Sequence, residues 1–424
     1  MRLSFILLIL VAPFAYSQAP SGIIWEDQKY LALPLKTDFG TGNAPSSRFS
    51  LKAFSPRVVN QISFATSAGW ASVWYGQTIA QATSCLESDP QTITSNAFSP
   101  LYAYQSVNTQ SGCDEPVSLI DVLEHQFTNG SPRFSEFGDL CPVKIPENII
   151  NQTEKNKIDG FVKLYNPFDT EVLKTQAIKK ALYNSHPVII GMIVPPSFSL
   201  ADEFWQAREQ PDTAYAAQAL CVVGYDDQKF GGAFEVVNQW GDSWGQNGFT
   251  WIRYTDMAHF ARYGFELINS ASCFTFPESS VVLFNENGKV IDQIDINNKF
   301  HNVKRPLKIG TKFRMSIRAS SGIFIYFLFK DKEVTTLFPN QKTHSYVSQN
   351  ITLPSTEAYY RLEGIPQTNE LYIIASRRQL DPVWLQSQLQ NQTLLSLDEE
   401  STTVQVDNMM KDILRVAIIQ LEQY

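Results

Sequence analysis

The chain has 424 residues, enough for two domains of ordinary size. Hydrophobic residues make up 44% and charged residues 18%, which excludes a disordered chain and fits a globular one. The net charge of -8 argues against a basic nucleic-acid-binding surface, so no nucleic-acid partner is expected.

Met1-Arg2 supplies a short positive start, and 3–14 is an apolar run. Ala15-Tyr16-Ser17 places small residues at the two positions a signal peptidase reads. Residues 1–17 are therefore expected to be a signal peptide cleaved before Gln18, with cleavage after Ala19 as the alternative. No later stretch reaches the length needed to span a bilayer. The mature chain is expected to be exported, without a transmembrane span, to the periplasm, the outer membrane or the exterior. Residues 18–45 read as a leader with little periodic pattern.

Helix periodicity follows over 69–82, where Trp70, Val73, Trp74 and Ile79 fall roughly on one face. A second helix is predicted near 118–127, with Leu119, Val122 and Leu123 apolar, and a third over 171–183. The run 187–192 reads as a buried strand. Strands are then predicted at 219–225, 233–238 and 251–254, with Asp226-Asp227 and Gly231-Gly232 marking a turn rather than a metal site. Helices first and strands later predict an α+β domain over 46–278. Composition changes near Phe276-Pro277. Short β runs at 281–284, 313–317, 323–329 and 371–375, with turn signals at Asn287-Gly288 and Pro339-Asn340, predict an all-β sandwich-like domain over 279–424. From about Pro382 the tail has two helix-compatible segments.

The five cysteines are Cys85, Cys113, Cys141, Cys221 and Cys273. Export permits disulfides, and an odd count leaves at least one thiol unpaired. Cys221 sits in an apolar run and reads as a buried core thiol. Cys113 and Cys141 flank a helix-like segment and form the best candidate pair.

Two blocks carry the functional argument. The first contains Gln61-Ile62-Ser63-Phe64-Ala65-Thr66-Ser67-Ala68-Gly69-Trp70-Ala71. The second contains Gln218-Ala219-Leu220-Cys221-Val222-Val223-Gly224-Tyr225-Asp226-Asp227, and continues at Asn238-Gln239-Trp240-Gly241-Asp242-Ser243-Trp244-Gly245-Gln246-Asn247-Gly248. Both resemble secreted bacterial members of the papain-like cysteine peptidase family, over about residues 46–275. There the first block reads Q-G-x-x-G-S-C-V-G-W-A and the second G-H-A-M-x-V-V-G-Y-D-D, then N-S-W-G-x-x-W-G-x-N-G. The resemblance implies a papain-like fold with a cleft between a helical and a β half. Residues 18–45 are too short for a typical inhibitory pro-segment of that family.

Such a site needs a thiolate at a helix N-terminus beside an imidazole, which later protonates the leaving amine. By the resemblance, Gln61 takes the oxyanion position, Asn238 the position that orients the imidazole, and Trp240 the position that shields it. But Ser67 stands where the family has cysteine and Gln218 where it has histidine. Ile62 and Ala65 replace two glycines of the oxyanion turn. A serine nucleophile needs a base, and a glutamine cannot be one. His125, His186, His259, His301 and His344 match no catalytic position. Losing both members of a catalytic pair costs on the order of a million-fold in rate. The site is therefore expected to be a degenerate one, with no cofactor and no metal.

The C-terminal part resembles a β-rich domain of unknown function that follows peptidase domains in bacterial envelope proteins. The matching residues are Leu307-Lys308-Ile309-Gly310, 323–329, Leu337-Phe338-Pro339-Asn340 and 371–376. Two functions from different classes stay open. One is an inactive binding or structural component of a bacterial cell-envelope complex, with a protein or extended peptide as partner. The alternative is a hydrolase with residual or altered peptidase or acyl-transfer chemistry at Ser67.

Overall fold

The structure is a computed structural model. It describes residues 22–36 and 45–422, apart from 111, 139–140, 142–143, 152, 154–155, 270–278, 296–300, 303–305, 320–321, 341, 348–349, 364–367, 399–402 and 407–413. The apolar N-terminal run with its cleavage point, Cys273 and the compositional change at Phe276-Pro277 lie outside the described residues.

A long helix begins at Ser67 and runs in three registers: α over Ser67–Gly69, π over Trp70–Gln77 and α again over Thr78–Ser84. Every residue from 67 to 80 is buried, so the one-sided face expected from the sequence is absent. A helix that is apolar all round belongs inside a core. Here Trp70 and Trp74 meet Phe134, while Gly76 lies close against Ile189 of the sheet. Flanking helices run over Pro100–Val107 and Leu119–Thr128, the latter capped by Ser118 Oγ, which accepts from the Asp121 N–H. The third predicted helix is found at Glu171–Tyr183, capped by Thr170.

The sheet beside the helices has the order Gly160–Lys163, Ala261–Ile268, Val188–Val194, Ala216–Asp226, Ala233–Val237, Phe249–Arg253, Phe204–Trp205, and Arg48–Ser50 also pairs with Ala216–Asp226. Val188–Val194 and residues 216–225 are buried throughout, which is why both read as unbroken apolar runs. Gln218 sits opposite Met192 in this pairing.

Residues 22–36 correct the sequence reading of a patternless leader. Ile23–Ile24 pairs in parallel with Val117–Ser118, and Asp27–Ala32 is a helix. Tyr30 is fully buried, stacks on Tyr263 at 4.2 Å and donates its hydroxyl to the Tyr165 carbonyl at 2.7 Å. Elements of two and six residues are too short to register as periodicity, yet they complete the first core.

The C-terminal region is β-rich, as expected. One sheet contains Val290–Asp295, Ser279–Asn285, Lys312–Ala319 and Ile351–Leu353. The other contains His301–Asn302, Leu414–Glu422, Thr368–Ser376, Ile323–Lys330 and Val334–Phe338. Strand alternation divides Ile323–Lys330 between two environments. Ile323, Ile325 and Phe327 enter the core between the sheets. Phe324, Tyr326 and Leu328 pack on the opposite face with Leu385 and Leu389 of helix Pro382–Gln390, and with Val162 and Ile268 of the first unit. The tail departs from its reading as two helix-compatible segments. Only Pro382–Gln390 is helical among its described residues, and Leu414–Glu422 is a strand paired along its full length with Thr368–Ser376. A continuous apolar run does not distinguish the two states.

Cys113 and Cys141 form the disulfide anticipated, with Cα atoms 5.8 Å apart, and Cys85 is also disulfide-bonded. Cys221 is free and buried, and burial pushes its thiol well above the usual range.

Candidate functional site

Ser67 opens the long helix and its side chain is fully buried. Its Oγ accepts a 3.1 Å hydrogen bond from the Ala219 N–H. Two residues earlier on the same strand, the Ala217 carbonyl accepts from the Gly22 N–H at 2.8 Å. Gln218 lies between them, fully buried, with no hydrogen-bond partner for Oε1 or Nε2 among the described residues. Asn238 follows strand Ala233–Val237. Its Oδ1 accepts from the Gln239 N–H at 2.9 Å, and its Nδ2 has no partner. The buried Gln61 side chain likewise has none. Trp240 packs against Phe198 and Trp244, with ring centroids 5.7 and 5.6 Å away.

Gln239, which the sequence reading did not single out, ties this neighbourhood together. Its Nε2 donates to the Ala219 carbonyl at 3.0 Å, and its own carbonyl accepts from the Gln61 N–H at 2.7 Å. One chain of bonds thus joins Ser67, the strand bearing Gln218, the loop bearing Asn238 and the turn bearing Gln61. The result is a buried cluster of amides with orphaned polar atoms. Each such group costs about 1–3 kcal/mol unless water or another group meets it.

The turn after Gln61 keeps a left-handed residue. Ile62 has φ 61° and its N–H donates to Asn60 Oδ1 at 2.7 Å. Ala65 is fully buried, and its N–H reaches the Cys113 carbonyl at 2.7 Å. Ala65 thus packs into the turn, while Ile62 holds a left-handed conformation that favours glycine.

The chain's own N-terminal segment covers the serine. Gly22 is so close that any Cβ built on it collides with Ser67 Oγ. No sequence signal marked Gly22, because the contact depends on a close backbone approach to a residue distant in sequence.

No described histidine bonds to Ser67. His186 Nδ1 lies 2.7 Å from Glu266 Oε1. His125 packs against Tyr102, and burial pushes its imidazole down to about 4. His344 is buried and also pushed down to about 4. His259 sits in helix Tyr254–Phe260, and the His301 side chain lies outside the described residues. Asp227 pairs with Lys179 at 2.6 Å and accepts from the Tyr254 hydroxyl at 2.6 Å. Among the described residues, no group of three or more His, Cys, Asp or Glu could hold a metal. No described helix is long and apolar enough to cross a membrane.

Residues 94–265 match the family described as papain family cysteine protease. The chain carries a papain-family peptidase-like domain. The matched segment takes in Gln218, Asn238 and Trp240 and begins after Gln61 and Ser67. A curated relative, an uncharacterized peptidase C1-like protein of Acanthamoeba polyphaga mimivirus, is 25% identical over 158 residues. That alignment covers 36% of this chain and 45% of the relative, so the chain spans less than half the relative's length. Similar solved structures include xylellain, a cysteine protease from Xylella fastidiosa, at 16% identity and a TM-score of 0.47 over 60% of this chain and 98% of that one. A digestive procathepsin L 3 from the larval midgut of Tenebrio molitor has 12% identity and a TM-score of 0.47, over 60% of this chain and 76% of that one.

Proposed function

We propose that the protein is an exported, catalytically silent papain-like protein that serves as a binding or structural component of a cell-envelope complex. The observation that carries the silent reading is the environment of Ser67. Among the described residues its hydroxyl has one hydrogen-bond partner, the Ala219 N–H, and that group cannot take a proton. The neighbouring amides of Gln61, Gln218 and Asn238 cannot take one either. Burial under Gly22 supports the same reading, since a substrate carbonyl has to reach the attacking oxygen. Export rests on the apolar run at 3–14, and the envelope setting rests on the sequence resemblance of both halves.

The test compares wild type, Ser67→Cys, Gln218→His and the double variant on unstructured peptide substrates. Wild type and both single variants are expected to be inactive. Ser67→Cys leaves a thiol without an imidazole to ionise it, and Gln218→His leaves a base beside a poorer nucleophile. Turnover is expected only in the double variant, and at a low level while Gly22 still covers position 67. Hydrolysis by wild type that Ser67→Ala abolishes would establish the hydrolase reading instead.

A further inference from the structure

A second concave site shares no residue with the Ser67 neighbourhood. It is a groove of about 560 Å³ on the helical half, lined by residues that include Ser55, Arg57, Pro90, Gln91, Thr94 and Phe134. That volume is in the range of sites that take small ligands or peptide ends. Its walls are fixed. The Arg57 N–H donates to Thr94 Oγ1 at 3.0 Å, and the Arg57 carbonyl accepts from Trp74 Nε1 at 3.0 Å. Phe134 packs edge-on against Trp74 with ring centroids 5.0 Å apart.

Two features of this groove point to an occupant. Arg57 is the one charged residue lining it, and its exposed guanidinium has no ion pair or hydrogen bond among the described residues. Ser55 Oγ is buried and also has no partner. Most of the surface the groove exposes is apolar, with Phe134 and Pro90 presenting ring surface among hydroxyl and amide side chains. A guanidinium held at the edge of an apolar groove matches a carboxylate attached to an apolar body.

We propose that this groove captures the free C-terminal carboxylate of a peptide whose last residue is apolar. Arg57 pairs with the carboxylate in the two-pronged geometry that a guanidinium favours. The terminal side chain lies on Phe134 and Pro90, and the Ser55 hydroxyl and Gln91 amide bond to the peptide main chain. An acidic sugar shares the carboxylate, and its binding is one of the outcomes the test separates. The proposal is independent of the chemistry at Ser67.

The test uses the full chain and fluorescence anisotropy. The probes are N-terminally labelled hexapeptides of one sequence ending in Leu, Val, Phe or Lys, each as free acid and as C-terminal amide. Free acids ending in at least one apolar residue are expected to bind, with the amides and the Lys-ended peptide at least tenfold weaker. Arg57→Gln should weaken the acids at least tenfold while leaving the thermal midpoint unchanged, because this side chain has no partner in the fold to lose. Phe134→Leu should weaken the Phe-ended acid while keeping the preference for acid over amide. The proposal is overturned if no apolar-ended acid binds, if acid and amide bind equally, or if Arg57→Gln binds as wild type does. Displacement by a galacturonate oligomer at concentrations comparable to the peptide would also overturn it, by assigning the groove to an acidic sugar.

Discussion

At position 62 a β-branched residue holds a backbone conformation suited to glycine. Ile62 has φ 61° and its side chain is 58% exposed, so little burial compensates the strain. The left-handed conformation costs about 1–2 kcal/mol for a residue with a Cβ. Glycine removes that strain but gives back roughly 0.5–1 kcal/mol through a freer unfolded chain. Ile62→Gly is therefore expected to stabilise the protein by about 1 kcal/mol. Equilibrium denaturation checks this as a raised midpoint at unchanged slope. The sequence reading grouped positions 61, 67, 218 and 238 by motif spacing, and one chain of hydrogen bonds joins the segments that bear them. Their orphaned amides were not legible, since hydrogen-bond satisfaction depends on which backbone groups arrive from distant segments.

Among the elements, the segment 22–36 has the largest effect on the site. Gly22 sits against Ser67, and Ile23–Ile24 runs beside Val117–Ser118. In the Ser67→Cys variant, the new thiol is expected to react slowly with iodoacetamide at pH 9. Adding Gly22→Val forces the segment off, and labelling should then be at least tenfold faster. Equal rates with and without Gly22→Val would show that the segment does not guard the position. Helices such as Glu171–Tyr183 and strands such as Ala233–Val237 were readable from their apolar patterns. The helix over 69–82 was readable too, but its π register over Trp70–Gln77 and its burial on every side were not, because apolar spacing alone does not report either. Leu414–Glu422 was misread for a related reason: its mostly buried residues form an apolar run without a polar alternation.

At the scale of the whole molecule, the N-terminal segment also joins the two halves. Leu35 bridges to both Lys163 and Thr343, and its carbonyl accepts from the His344 N–H at 3.1 Å. Lys36 pairs with the fully buried Glu266 at 2.7 Å, and His186 Nδ1 lies 3.2 Å from the Tyr346 hydroxyl. Burial alone would push the Glu266 carboxyl up, but Lys36 and His186 outweigh it and hold the carboxyl at about 2. Lys36→Met leaves this buried carboxylate with His186 as its remaining charged partner among the described residues and is expected to destabilise the protein by about 3 kcal/mol, readable by denaturant titration. His344 is kept neutral by burial, its imidazole pushed down from 6.5 to about 4. A group with a depressed folded pKa contributes stability that is complete above its unfolded value and is lost on acidification. For His344 that loss falls between pH 6.5 and 4 and amounts to about 3 kcal/mol at most. Glu266 adds a further loss between about 4.5 and 2. His344→Phe should flatten, without abolishing, the fall in stability between pH 6.5 and 4, because His125 follows the same direction. The seat of residues 22–36 also imposes an order on synthesis. This segment leaves the ribosome early, yet its partners at 117–118, 163, 217 and 343–344 are made later. At roughly 5–20 residues per second, the last of them follows by about 15–60 s. Until strand Ala216–Asp226 is made, the Gly22 cover over Ser67 lacks the Ala217 carbonyl that holds it.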